Sequence, residues 1–131
     1  MSNLSNILNF LLYFGSSVAL LAAFLAAYTL MTSIREWDLI RSGNNAVAIS
    51  LGGAMIGFAL PLASAIMHTQ SLKEAIITAA IALVVQLLCA AAMRLLRPDG
   101  SNALARGDMA EGVFRASTAI VIGILNAACL S

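Results

Sequence analysis

The chain has 131 residues, of which 61% are hydrophobic and 10% charged, and its formal net charge is +1. Soluble domains carry about 25% charged residues, so a water-facing surface cannot be made from this composition, and lipid is expected to solvate most of it. No Lys/Arg cluster could track a phosphate backbone, which excludes nucleic-acid binding.

Four hydrophobic segments stand out, at about 4–31, 45–67, 75–96 and 110–130. Each approaches or exceeds the ~20 residues that cross a hydrocarbon core of about 30 Å. Backbone groups in lipid must be paired within their own segment, so each is predicted to be a helix. The expectation is an all-α membrane protein, with four transmembrane helices in a compact bundle and residues 1–131 forming a single integral membrane domain. The first segment has no basic flank and exceeds a signal-peptide core of about 7–15 residues, so it reads as a retained span. Phe10, Tyr13 and Phe14 lie towards one end of it, and Tyr28 and Trp37 near the other, as in an aromatic belt.

The first connector balances Arg35 and Arg41 with Glu36 and Asp38. Helical spacing then puts Ser50, Gly53, Gly57, Pro61 and Ser64 on one face of the second span, opposite Ile, Leu, Met and Phe. Gly53 and Gly57 form GxxxG, which lets backbones approach, so this face is expected to be a helix–helix seam within or between subunits. Pro61 removes one backbone donor and predicts a kink. The carbonyl it frees near Gly57 is an alternative ion ligand or hinge. His68, Lys73 and Glu74 fall in a short turn, where a lone histidine is a poor metal site.

In the third span Gln86 lies at mid-depth, on one face with Thr78, Ala82 and Cys89. A primary amide in hydrocarbon must find a partner, so Gln86 either glues helices together or lines a narrow path. Pro98, Asp99 and Gly100 are expected to end this helix, and Asp108 or Gly107 to cap the fourth. The fourth span carries a second small stripe, Ala119, Gly123 and Ala127, and a second amide, Asn126. Glu111 precedes Arg115 by four residues, the favourable order for an ion pair. Arg115 lies about 24 Å from the C-terminus at 1.5 Å per residue. It therefore either snorkels to the near surface or lines a polar cavity or binds a lipid phosphate.

Charge fixes the expected orientation. The first and third connectors share Arg35, Arg41, Arg94, Arg97 and Arg106, against Lys73 alone on the other side. By the positive-inside rule those connectors are cytoplasmic and both termini periplasmic. A shift of 65 residues lays Arg41 over Arg106, Ala54 over Ala119 and Pro61 over Asn126, which suggests a parallel two-helix repeat. Cys89 and Cys129 fall in opposite halves of the bilayer, too far apart for the ~7 Å Cα separation a disulfide allows. No nucleophile–base pair, HExxH, phosphate loop or CxxC occurs, so neither an enzyme nor a cofactor is expected.

Several of these residues fall into a pattern. Glu36-Trp37, Leu39-Ile40, Asn44, Gly53, Gly57, Pro61-Leu62 and Ser64-Ala65 resemble the signature of the YjfL-type bacterial inner-membrane proteins, the family known as domain of unknown function 350. Gln86 within IALVVQLL, then Arg94, and the ending Asn126-Ala127-Ala128-Cys129 are similar too. The resemblance implies a small four-helix inner-membrane protein. It implies interest in Glu36, Trp37, Asn44, Gly53, Gly57, Pro61, Gln86, Arg94 and Asn126. It associates the family with envelope-stress neighbours, namely phage-shock-type peripheral coat proteins and ATP-grasp enzymes resembling glutathionylspermidine synthases, but brings no reaction or substrate. Arg115 departs from the pattern, standing where a family member has an apolar residue, which sets it apart from any shared mechanism.

Two functions are carried forward. The first is a non-enzymatic structural or adaptor protein, homo-oligomeric through its small-residue faces. It would present Glu36, Trp37, Arg41, Asn44, Arg94, Arg97 and Arg106 to anionic lipid or a peripheral cytoplasmic envelope-stress protein. The second is a small ion channel or solute transporter whose path is lined by Gln86, Asn126, Ser50, Ser64 and the Pro61 kink.

Overall fold

Residues 2–31, 36–69, 71–96 and 100–130 are described by a computed structural model. Four long helices and two short ones follow in order: α1 (Ser2–Met31), α2 (Glu36–Arg41), α3 (Asn45–His68), α4 (Leu72–Leu96), α5 (Gly100–Ala105) and α6 (Met109–Leu130). α1, α3, α4 and α6 are each long and apolar enough to cross a membrane. Their limits lie within three residues of those read from the sequence.

α3 is the hub. It packs on α1, α4 and α6, and its contact with α6 is by far the most extensive in the molecule. Half of α3 is buried, whereas α1 leaves nearly all of its side chains at least partly exposed, as a lipid-facing helix must. α1 joins the bundle through its last turns. Phe24 and Tyr28 enter a cluster with Leu51, Ala54, Phe58, Leu62 and Ala82, and the Phe24 ring stacks on Phe58 with centroids 4.9 Å apart. Tyr28 is therefore a core residue rather than a member of an exposed aromatic belt, because the last turns of α1 pack into the cluster formed with α3 and α4. Phe10 and Phe14 stack on one another at 5.6 Å on the exposed part of α1.

The short helices correct the sequence reading of the connectors. Gly100 opens α5 instead of closing the preceding helix, and the first connector holds α2. Arg35, Arg97, Pro98 and Asp99 lie outside the described residues. Six residues are too few to show helical periodicity, so neither short helix leaves a pattern in the sequence.

Both short helices end in the same way. Asn44 N–H donates to Leu39 O at 2.9 Å and Gly43 N–H to Ile40 O at 3.0 Å; Asp108 N–H donates to Ala103 O at 3.0 Å and Gly107 N–H to Leu104 O at 2.9 Å. This is the Schellman arrangement, which needs a left-handed residue, and Gly43 (φ 92) and Gly107 (φ 83) supply it. The next residue then caps the following helix. Asn44 Oδ1 accepts from Val47 N–H at 3.1 Å, and Asp108 Oδ1 accepts from Ala110 and Glu111 N–H at 3.1 and 3.3 Å. Every one of these pairs except the Ala110 bond recurs at an offset of 64 residues, one less than the shift that aligns Arg41 with Arg106.

Candidate functional site

α2 and α5 lie side by side at one end of the bundle. Asn44 joins them: while its Oδ1 caps α3, its Nδ2 donates to Leu104 O at 2.9 Å and Ala105 O at 3.1 Å at the close of α5. Leu104 is buried with Ala46 and Val47, and Leu39 and Ile40 of α2 pack against them. The outer surface of this end is polar and aromatic. Trp37, Arg41, Arg94 and Arg106 are all exposed, and Arg94 donates to the carbonyl of Met31 at the end of α1. Glu36 begins α2, but its side chain, like the whole of Arg97, lies outside the described residues. The opposite end holds only the α3–α4 turn and the chain termini, with His68, Lys73 and Glu74 exposed.

Between the ends runs a seam of small residues. A Cβ on Gly53 would overlap the backbone of Ala116, one on Gly57 the carbonyl of Ala119, and one on Gly123 the carbonyl of Gly57. Gly112 meets the backbone of Ala46 in the same way. α3 and α6 therefore run parallel with backbones in direct contact. Gly53, Gly57, Ala119 and Gly123 thus form a seam within one chain. Gly112 and Ala116 were missed, although they extend the Ala119–Gly123–Ala127 stripe backwards in steps of three and four.

Pro61 lies buried inside α3, which continues through it to His68. Lacking an N–H, it leaves the Gly57 carbonyl without its i+4 donor. That carbonyl faces the Cα of Gly123, so a weak Cα–H···O contact replaces the missing bond. The freed carbonyl thus faces the neighbouring helix rather than an ion path.

The buried amides and one hydroxyl cross between helices. Gln86 Nε2 donates to Ala119 O at 3.0 Å, Asn126 Nδ2 to Ala82 O at 3.2 Å, and Ser64 Oγ to Ala127 O at 3.2 Å. Among the described residues, three side-chain polar atoms are buried without a partner: Ser50 Oγ, Gln86 Oε1 and Arg115 Nη2.

The ion pair is present and deep in protein. Arg115 Nε donates to Glu111 Oε2 at 3.0 Å, with the arginine side chain only 9% exposed. Gly100 presses on the pair, since a Cβ there would overlap the guanidinium. Beside it, a partly enclosed cleft of about 40 Å³ opens among all four long helices. Its walls include Phe24, Tyr28, Gln86, Cys89, Arg115 and Thr118. Cys89 and Cys129 are both free thiols. Among the described residues no group of His, Cys, Asp and Glu could hold a metal ion.

Comparison with known proteins gives one consistent match. A family model described as Domain of Unknown Function (DUF350) covers residues 1–130. The chain is 36% identical over 128 residues to the UPF0719 inner membrane protein YjfL of Escherichia coli strain K12, covering 98% of this chain and 97% of that one. The YjfL of Escherichia coli O157:H7 matches to the same extent. The UPF0719 transmembrane protein YshE of Bacillus subtilis strain 168 is 34% identical over 64 residues, 49% of this chain and 48% of its own. No solved structure matches.

Proposed function

The chain belongs to the DUF350 family and is a multi-pass inner-membrane protein; from that premise we propose that it is a non-enzymatic adaptor, whose working surface is the α2–α5 end, turned to the cytoplasm. The observation that supports this most is the division of polar groups. Within the bundle, Ser64, Asn126 and the Gln86 amide nitrogen are spent on neighbouring helices. The exposed tryptophan and the exposed arginines gather on or beside the two short helices at one end. The excess of basic side chains there agrees with a cytoplasmic location and periplasmic termini. Exposed Trp37, Arg41 and Arg106 at one end suit a peripheral protein with an acidic face. A partner of the envelope-stress class agrees with the family resemblance.

The channel reading finds less support. The small-residue seam leaves no gap between α3 and α6, and Pro61, Ser64 and Asn126 face neighbouring helices. The test of the adaptor role is co-purification from native membranes in mild detergent. A protein that accompanies the wild type should be lost from a Trp37→Ala/Arg41→Glu/Arg106→Glu variant that still inserts and folds. If every accompanying protein were retained by that variant, the adaptor reading would fail.

A further inference from the structure

We propose that the cleft among the four long helices is a hydrated inlet, holding a short chain of waters that runs from Arg115 near the α2–α5 end to Gln86 at mid-depth. The proposal stands apart from the adaptor reading and concerns the interior.

Two buried polar atoms on different helices, Gln86 Oε1 and Arg115 Nη2, have no partner among the described residues. Gln86 is 4% exposed, and both residues line the same cleft. A buried polar atom left unsatisfied forfeits its hydration, more so when charged, so a dry cleft would carry a large penalty. A water needs about 10–15 Å³ of such space, and the cleft has about 40 Å³, room for about three. Arg115 lies six residues into α6 and Gln86 ten from the end of α4. At 1.5 Å per residue these are depths of about 9 and 15 Å. Waters about 2.8 Å apart cover that difference.

These polar groups have no counterpart in the first half of the chain. At the 64-residue offset set by the two connectors, Glu111, Arg115, Thr118 and Asn126 fall on Val47, Leu51, Ala54 and Leu62, and Gln86 and Cys89 on Ala22 and Leu25. The same positions in the first half of the chain are apolar and pack as core or lipid-facing residues. Polarity at the cleft is therefore an addition of the second half.

Cys89 lines the cleft and reports on it directly. A thiol reacts with a methanethiosulfonate only as thiolate, a form that exists only where water reaches. The experiment uses the full-length Cys129→Ser protein in lipid nanodiscs, with the water-soluble ethylsulfonate methanethiosulfonate as the probe. The inlet predicts modification of Cys89 in the folded protein. It also predicts that rates fall on the order of tenfold in Gln86→Leu and in Glu111→Val/Arg115→Leu, where loss of polar groups removes the water through which the probe reaches the thiol. The double variant installs the side chains found at the same offset in α3, and so keeps the packing pattern. Cys89 that stayed unmodified in the folded wild-type background would overturn the proposal. Equal rates in all three backgrounds would overturn it too.

Discussion

At Gly57 three constraints meet in the space of one missing side chain. Its Cα lies against the Ala119 carbonyl and the Gln86 amide, and its own carbonyl, freed by Pro61, rests on Gly123. Bulk at either glycine must push α3 and α6 apart. Gly57→Val and Gly123→Leu should each lower stability by about 1–3 kcal/mol or prevent accumulation altogether, because overpacking here meets backbone and not a flexible side-chain tip. Gly15→Ala should be neutral or slightly stabilising, since nothing lies within 4 Å of a Cβ there. Unfolding by SDS titration of the purified variants checks both. The small face of α3 was legible from its three-and-four spacing. What it packs against was not, because a stripe of Gly, Ala and Ser permits close approach without naming the partner. The same holds for the amides: hydrocarbon demands that Gln86 and Asn126 be bonded, but their acceptors are main-chain carbonyls, which carry no sequence signal.

At the scale of elements, the two Gly-Asx junctions do matching work with one difference. Asp108 only caps α6, whereas Asn44 caps α3 and also ties down the last carbonyls of α5 through its Nδ2. Losing a cap costs about 1 kcal/mol, and each further hydrogen bond about 0.5–1.5 kcal/mol. Asn44→Ala should therefore destabilise the protein more than Asp108→Ala. Asn44→Asp, which keeps the cap but sets a carboxylate oxygen against the Leu104 and Ala105 carbonyls, should also be less stable than wild type. Equal losses for Ala at both positions in a detergent unfolding assay would show that the tie between the halves is inert. The capping role of Asp108 could be read from the sequence, as could the importance of Asn44. Their shared offset could not, because the arginines that invite alignment, Arg41 and Arg106, differ by 65 while the hydrogen bonds differ by 64.

For the whole molecule, composition and segment length were enough to give the four spans. Their arrangement around α3 was not legible, nor was the placing of every unpartnered interior polar atom except Ser50 Oγ in the second half of the chain. What distinguishes one end from the other is the paired short helices with Trp37, Arg41 and Arg106 exposed on them. In the adaptor role this end meets a protein in the cytoplasm. The most direct measurement is to place a photoactivatable cross-linking amino acid at Trp37 in living cells and identify the adducts by mass spectrometry, with the same residue at Phe10 for comparison. Position 37 should give a discrete adduct with a cytoplasmic or peripheral protein, and position 10 none. Adducts from position 37 with periplasmic proteins, or with lipid alone, would contradict that role.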